Sequence, residues 1–382
     1  MKLKNVAAVG TLALATAIAL SACSGNSSDN NSSGGSSDST SPSASAPSVD
    51  SSLTGTITAG GSSAQANAQQ AWTAAFTAQA AGVKINYDKS QGSGGGVTNW
   101  LGGSYDFAGT DSALSSDQFT QAQQTCGADG GIDIPVYLSG VAIIYKLSGV
   151  SKLNLDATTI AQIFAGKITT WNDPAIAKLN SGASLPSTPI TVVRRSDGSG
   201  TTANFTTYLS QADPTDWTFE AGTAWPTIPG DKSSGQQGGS GVVNTVQAGN
   251  GTIGYADQSS IGDATMASVE VGTGGTFVDY SAAGATAAFE AAAQDASQGA
   301  DDLTKKLDYT KITDASSYPI PLLSYDVVCK TFKDATQGKL TKAYLSYITG
   351  AQGQQIAEKN AGAAALPDST ISEIAKSLAD LK

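Results

Sequence analysis

The sequence predicts an α/β protein in which parallel strands are followed by polar turns and helices. Strand, Gly/Ser-rich turn and helix alternate three times between residues 54 and 112, an order typical of a parallel sheet with helices packed on it. A long apolar segment at residues 134–147 suits a strand that crosses between two lobes. In addition, 382 residues with 40% hydrophobic content are enough for two domains.

The first half of the chain supplies the three repeats of this order. A strand at residues 54–59 runs into the polar turn at 60–63. A helix at 64–81 follows, because Trp72 and Phe76 are four residues apart and therefore share one helix face. The next predicted elements are a strand at 83–87, a Gly-rich turn at 91–96, a helix through Trp100, and a strand at 105–109 that ends at Thr110-Asp111-Ser112.

In the second half, a strand of β-branched residues at 190–193 runs directly into the polar segment 194–201. A helix continues at 204–209, and residues 222–241 are predicted to be rich in loops. The remaining predicted elements are a helix at 160–164, a turn region at 166–174, a helix at 242–247, a short strand at 251–255, an Ala-rich helix at 282–300, a recrossing strand at 318–328, and a mostly helical region at 340–382.

The N-terminus carries the features of an export signal. A basic start precedes an apolar run at residues 6–20, which is shorter than a typical membrane-spanning helix and is typical of a signal peptide. The run ends in Leu-Ser-Ala-Cys at 20–23, which resembles the bacterial lipobox. We therefore expect residues 1–22 to be a lipoprotein signal peptide and Cys23 to carry a palmitate-type diacylglyceryl anchor, since two acyl chains hold a protein at a membrane better than one. An ordinary signal peptide is the alternative.

Residues 23–52 are Ser-rich and contain almost nothing that a core would bury, so they are predicted to form a flexible tether. With Cys23 lipidated, Cys126 and Cys329 remain as an even pair. In an oxidising compartment a disulfide between them is favoured. Two separate buried thiols are the alternative.

Composition excludes several classes of function. The formal net charge of -11, with 14% charged residues, argues against a nucleic-acid partner. The sequence contains no histidine, which removes Ser-His-Asp and Cys-His catalysis and histidine metal sites. The nucleophile-elbow and P-loop motifs are also missing from the sequence. We therefore predict a binding protein without catalysis, metal or cofactor.

The polar turns after the predicted strands have the composition of an oxyanion site. Helix N-termini offer N–H groups, glycine allows close backbone approach, and serine, threonine and arginine add donors. An N-capping turn with solvated charges is the alternative for any single turn, but four of them together favour the site. The four turns are Ser62-Ser63, Gly92–Gly96, Thr110–Ser112 and Arg195–Thr201.

Two acids stand among these donors, Asp111 and Asp197. A carboxylate suits a ligand that carries a proton, as phosphate does near neutral pH, whereas it would repel sulfate, which has no proton to donate. We predict that Asp111 accepts the ligand's proton and that Asp197 orients Arg195 through an ion pair.

These motifs resemble those of the phosphate-binding proteins of bacterial high-affinity phosphate ABC uptake systems. The Arg-Arg-x-Asp-Gly-Ser-Gly-Thr run at residues 194–201 is the most specific part of the resemblance. The matching segments span nearly the whole folded part and are residues 105–111, 163–168, 171–174 and 192–201, with looser matches at 241–255 and 365–368.

The resemblance implies a two-lobed periplasmic-binding-protein-like fold of type II, with the ligand between the lobes and a two-strand hinge. Lobe I would consist of residues 53–144 and 322–382, and lobe II of residues 145–321. The implied function is that of a monomeric extracytoplasmic receptor, anchored to the cell membrane by its lipid, which delivers inorganic phosphate to the permease of an ABC transporter.

The resemblance also implies the residues of the site. At the first loop this chain has Ser62-Ser63 where other members have Thr-Phe, so the second position is expected to contribute its backbone N–H. Phe164 and Trp171 lie in matching segments, but we expect both to be core residues. The implied phosphate-site residues are Ser62, Ser63, Ser93, Asp111, Arg195, Asp197, Ser199, Gly200 and Thr201.

Two alternatives remain open at the level of sequence. The first is a binding protein for another oxyanion, such as sulfate, molybdate or an organic phosphate. The second is a secreted phosphatase-like enzyme or a surface adhesin on the same fold. The absence of histidine from the sequence argues against a phosphatase, and an adhesin would leave the four donor-rich turns unexplained.

Overall fold

The computed structural model describes residues 49–299 and 301–382. The predicted signal peptide, Cys23 and the predicted tether up to residue 48 lie outside these described residues. The helices are α1 Ala66–Gln79, α2 Gly92–Leu101, α3 Ser116–Cys126, α4 Ala157–Phe164, α5 Pro174–Leu179, α6 Gly200–Ala212, α7 Gly238–Ala248, α8 Ala282–Ala292, α9 Ala335–Thr349, α10 Ala351–Ala361 and α11 Asp368–Asp380. Among the described residues, none of the helices combines the length and the apolar character needed to cross a membrane.

The strands alternate with these helices along the chain. They are β1 Thr54–Gly61, β2 Gly82–Asp88, β3 Phe107–Thr110, β4 Gly131–Lys146, β5 Asn154–Leu155, β6 Thr191–Arg195, β7 Ser234–Gln236, β8 Thr252–Asp257, β9 Thr265–Met266, β10 Ser268–Val271, β11 Thr276–Val278, β12 Ala293–Asp295, β13 Lys305–Leu307 and β14 Pro321–Cys329.

The principal sheet has the strand order β2-β1-β3-β14-β4-β8-β6-β7, with β9 paired to β4. β1 pairs in parallel with β2 and β3 in one lobe, and β6 pairs in parallel with β7 and β8 in the other. The prediction of a two-lobed α/β fold is therefore confirmed. The parallel arrangement holds within each lobe, whereas β4 and β14 between the lobes are antiparallel.

The strand β4 belongs to both lobes. Its first part pairs with β14 over residues 131–140, and its second part pairs with β8 over residues 141–146. The chain returns beside this crossing, where the N–H of Val141 donates to the carbonyl of Ile320 at 2.9 Å, just before β14 begins. Two adjacent segments therefore join the lobes, which is a geometry suited to hinge motion. The predicted lobe boundaries at 144–145 and 321–322 stay a prediction.

The prediction of one helix over residues 282–300 is wrong at its C-terminal end. α8 ends at Ala292, and the next three residues form β12, which pairs antiparallel with β13. Tertiary pairing supplies the backbone hydrogen bonds there and overrides the helix propensity of the Ala-rich sequence. Residues 222–241 are also more regular than predicted, because they contain β7 and the first turn of α7.

Aromatic side chains fill the core of each lobe. In the first lobe, Phe76 of α1 packs edge-on against Tyr344 of α9, with ring centroids 5.3 Å apart. In the second, Phe164 packs edge-on against Phe205 at 4.8 Å. Phe164 and Trp171 are both buried, so the prediction that they are core residues is confirmed.

Candidate functional site

The predicted site residues come together where the two lobes meet. β1 and β3 are parallel neighbours, so their carboxyl ends lie at one edge of the sheet and place Ser62 beside Asp111. From the second lobe, β6 ends at Arg195 and α6 begins at Gly200, which brings the polar segment 196–201 to the same edge. This location agrees with the rule that α/β sheets bind ligands at the carboxyl ends of their strands.

Asp111 lies at the centre of the site and is 3% exposed. Its Oδ1 accepts hydrogen bonds from the hydroxyls of Ser62 and Ser324, the latter at 2.7 Å. Its Oδ2 accepts from the hydroxyl of Thr201 in the second lobe at 3.1 Å. A carboxylate has about four lone-pair sites, so three hydroxyl donors leave room for one more.

Ionisation of Asp111 is a balance between opposing effects. Burial raises the pKa of the Asp111 carboxyl above its ordinary value, while the hydrogen bonds from Ser324, Ser62 and Thr201 and the positive charge of Arg195 act in the opposite direction. The donors around this carboxylate therefore determine how far it stays charged.

Arg195 is held by a two-pronged ion pair. Its Nε donates to Oδ1 of Asp197 at 2.7 Å, and its Nη2 donates to Oδ2 of the same carboxylate. Asp197 also accepts from the N–H of Gly238 at the start of α7, at 3.2 Å. Burial disfavours the charged carboxylate, but the hydrogen bond and charge of Arg195 outweigh it and keep the pKa of Asp197 below its ordinary value. Asp197 thus fixes the plane of the guanidinium, as the sequence predicts.

The N-terminus of α6 points into the site. Ser199 is its N-cap, and the Ser199 hydroxyl accepts from the N–H of Thr202 at 3.2 Å. The first N–H groups of a helix have no partner within the helix and carry the positive end of its dipole. Gly200 is required for close approach, because a Cβ at this position would lie 2.7 Å from the Cβ of Asp111. The helix start is therefore a source of anion-binding donors.

The Gly-rich start of α2 closes the site from the first lobe. The N–H of Gly94 donates to the carbonyl of Gly198 at 2.9 Å, so the two lobes touch backbone to backbone. Gly92 has φ +61°, and a side chain there would collide with Asp197. Ser93 is buried, and its hydroxyl accepts from the N–H of Asp111 at 3.3 Å.

Ser63 occupies a different position from the other predicted residues. It is partly exposed, and its hydroxyl accepts from the N–H of Gly239 at 3.2 Å. The side chain thus joins the first lobe to the start of α7 at the edge of the site, beside a cavity of about 290 Å³ that Lys89 and Gln237 also line.

Comparisons with known proteins show the family of this chain. A family model described as a PBP superfamily domain matches residues 41–352. Phosphate-binding protein PstS 3 of Mycobacterium leprae is 36% identical over 318 residues, which are 82% of this chain and 84% of that protein. PstS 2 of Mycobacterium tuberculosis is 37% identical over 296 residues, covering 76% of this chain and 78% of that protein. The chain belongs to this family of phosphate-binding proteins.

Solved structures support the fold of the family. A phosphate-binding protein from Stenotrophomonas maltophilia superposes with a TM-score of 0.63 at 22% identity, covering 84% of this chain and 93% of that one. A human phosphate-binding apolipoprotein gives a TM-score of 0.66 at 22% identity with the same coverage. At this level of identity the likeness concerns the two-lobed fold.

Two residues in this family member contact Asp111 without having been predicted. Asn204 donates to the backbone carbonyl of Asp111 at 2.6 Å and to that of Gly200 at 2.9 Å. Its spacing of four residues from Gly200 places it on the same face of α6, a signal that sequence reasoning could have used. Ser324 lies 213 residues from Asp111 on an apolar strand, where no local pattern marks it.

A disulfide joins Cys126 at the end of α3 to Cys329 at the end of β14, with Cα atoms 5.2 Å apart. The neighbouring Trp100, Leu114 and Val327 form a small buried cluster with Cys126. The bond fixes the end of the strand that carries Ser324, on the side of the first lobe away from the hinge.

Proposed function

We propose that this protein is an extracytoplasmic receptor that binds inorganic phosphate between its lobes and delivers it to the permease of an ABC transporter, without catalysis. The observation that carries the proposal is the buried carboxylate of Asp111 within a group of donors. Arg195, the start of α6 and the hydroxyls of Ser62 and Thr201 supply positive potential and hydrogen bonds for an oxyanion.

The acceptor explains why phosphate is favoured over sulfate. Mono- or dibasic phosphate carries a proton that it can donate to a buried carboxylate, and the donors of the site bind its remaining oxygens. Sulfate has no proton at neutral pH, so the same carboxylate would face it as an unpaired like charge. The names of the relatives, which are phosphate-binding proteins, support the same ligand.

In this proposal each predicted residue has a role. Asp111 accepts the ligand's proton, Asp197 orients Arg195, and Ser63 acts through its backbone. The residues proposed to donate hydrogen bonds to phosphate are Ser62, Ser63, Ser93, Arg195, Ser199, Gly200 and Thr201. Contacts between Gly94 and Gly198 and between Thr201 and Asp111 join opposite lobes, so opening at the two-strand hinge would separate the donors and admit the ligand.

The proposal places the receptor, as a monomer, at the outer face of the cell membrane. The lipobox-like residues 20–23 support lipidation of Cys23 after removal of a signal peptide, and the Ser-rich residues that follow would let the folded lobes stand off the membrane. Membrane fractionation of cells that express the full chain tests this part. Cys23→Ser should release the protein from the membrane fraction, and retention there would contradict the anchor.

Isothermal titration calorimetry with phosphate and sulfate across pH tests the ligand. We expect tight phosphate binding and no heat with sulfate near neutral pH. Equal affinity for the two anions would contradict the role given to Asp111, and absence of phosphate binding would contradict the proposed function itself.

A further inference from the structure

A chain of buried side chains leads from Asp111 away from the site and into the core of the first lobe. Four hydrogen bonds join its members, with donor–acceptor distances of 2.7, 2.8, 2.9 and 2.8 Å. Every member is 3% exposed or less. In order from the site, the members are Asp111, Ser324, Gln65, Gln69 and Tyr344.

The direction of these hydrogen bonds is fixed by a backbone carbonyl. The amide Nε2 of Gln65 donates to the carbonyl of Tyr325 at 2.9 Å, and a carbonyl oxygen accepts hydrogen bonds but cannot donate them. The other amide atom of Gln65, Oε1, must therefore accept from Nε2 of Gln69. This leaves Oε1 of Gln69 to accept from the hydroxyl of Tyr344.

The same logic fixes the proton of Ser324. Its oxygen accepts from Nε2 of Gln65 at 2.8 Å, so its single proton goes either to Asp111 Oδ1 at 2.7 Å or to the carbonyl of Thr110 at 3.2 Å. The carboxylate is both the closer acceptor and the charged one, and charge-assisted hydrogen bonds are the stronger. Each hydrogen bond between members of the chain therefore donates in the direction of Asp111, and hydrogen bonds in such a series polarise one another. Gln69 has a second acceptor beside the chain, because its Nε2 also donates to Oδ2 of Asp326 at 3.3 Å.

We propose that Ser324 and Gln65 are positioning residues that keep Asp111 ionised by directing this one-way chain of donors at Oδ1, so that Oδ2 stays available to the proton of the ligand. The proposal rests on the proposed phosphate-binding function. Burial favours the protonated carboxyl, and a protonated Asp111 would offer sulfate a donor instead of a repelling charge. The chain of donors would therefore protect the choice of ligand.

Other groups face Asp111 and must be kept constant in a test. Asp257 of β8 titrates within the pH range of the test described below, because burial, opposed by hydrogen bonds from Ser259 and Ser139, raises the pKa of Asp257 to about 7. All variants compared below retain it. Asp326 of β14 also titrates within this range, because burial, opposed by hydrogen bonds from Gln65 and Gln69, raises the pKa of Asp326 to about 7, and the variants retain it too. The charged and titratable groups facing Asp111 are Arg195, Asp257 and Tyr87, and across a shared cavity Lys305, Lys306, Tyr309 and Tyr325.

The test is calorimetric titration of phosphate and of sulfate from pH 5 to pH 9 on the wild-type chain, Ser324→Ala and Thr341→Val. Thr341→Val is the control, because Thr341 of α9 is also fully buried and its hydroxyl has no hydrogen-bond partner among the described residues. In Ser324→Ala, the pH at which phosphate affinity falls tenfold below its maximum on the acidic side should rise by about one unit. Sulfate binding should appear at a pH where the wild type rejects it, and Thr341→Val should match the wild type.

Tyr344→Phe gives a second measurement that does not depend on the folding of Ser324→Ala. It removes the farthest donor but keeps the ring that packs on Phe76, and it should shift the pH profile in the same direction by a smaller amount. A loss of phosphate affinity by the same factor at every pH, with sulfate still rejected, would show that Ser324 is merely structural and overturn the proposal. Unchanged profiles in both variants would overturn it as well. If the wild type itself binds no phosphate, the proposed function fails and this inference fails with it. If the wild type binds phosphate and rejects sulfate but the variants give either contradicting result above, only this inference fails.

Discussion

Replacing Asp111 with asparagine tests how the site selects its ligand. The substitution keeps the size and shape of the side chain, so the close contact between Gly200 and Asp111 is preserved. It removes the negative charge and converts one acceptor oxygen into an N–H donor. If the amide oxygen keeps the position of Oδ1, the hydroxyls of Ser62 and Ser324 retain their acceptor, and the new N–H faces Thr201 and the ligand.

The size of the effect follows from the number of bonds changed. One hydrogen bond from phosphate to a charged acceptor is lost, and hydrogen bonds to charged groups contribute about 1.5–3 kcal/mol. Phosphate affinity in Asp111→Asn should therefore fall roughly 10- to 150-fold. Sulfate loses a repelling charge and gains a donor, so its affinity should rise by about tenfold or more.

Calorimetric titration of both anions at neutral pH measures this change. Asp133→Asn is a suitable control, since Asp133 is a buried carboxylate that bonds to Leu114 and Thr304 rather than to residues of the site. The control should keep wild-type selectivity. If Asp111→Asn binds phosphate less tightly but still rejects sulfate, another group discriminates between the anions and the reasoning about Asp111 is wrong.

Three further predictions concern close packing, pH and the disulfide. Gly200→Ala should lower phosphate affinity by about tenfold or more, because its Cβ would lie 2.7 Å from Asp111; Gly274→Ala, where an added Cβ meets no atom within 4 Å, is the calorimetric control and should bind as the wild type does. Burial and the nearby Asp302 raise the pKa of Asp133 to about 7, so the stability it contributes is present below about pH 4 and is lost as pH rises through 7. The asparagine of Asp133→Asn does not titrate, so between pH 5 and pH 8 the free energy of unfolding of this variant should fall by roughly 2–4 kcal/mol less than that of the wild type. Urea titrations of both proteins at the two pH values measure this, and an equal fall in both would contradict it. The Cys126–Cys329 bond spans 203 residues, so replacing both cysteines by alanine should lower the free energy of unfolding by about 2–5 kcal/mol, and an unchanged urea midpoint would count against it.

Much of the fold and of the site could be predicted from local sequence. The strand at residues 190–193 and the helix after it are marked by β-branched residues and by the turn between them, and the structure has β6 and α6 there. Ser62, Asp111 and Arg195 could be selected because each follows a predicted strand, and parallel strands bring their carboxyl ends to one edge. The pairing of Arg195 with Asp197 could be inferred because they are only two positions apart in the chain.

The sequence by itself determined the α/β class, the four donor-rich turns and the acid among them, because strand and helix periods and turn residues are local signals. Tertiary structure alone decided which distant groups meet. Ser324 reaches Asp111 because β14 pairs with β3 next to the turn. Gln65, the N-cap of α1, bonds to Ser324, and Tyr344 of α9 bonds to Gln69. The partners in these three hydrogen bonds are 213, 259 and 275 positions apart in the chain, and the strand register that helps to place them in contact depends on the packing of the whole sheet.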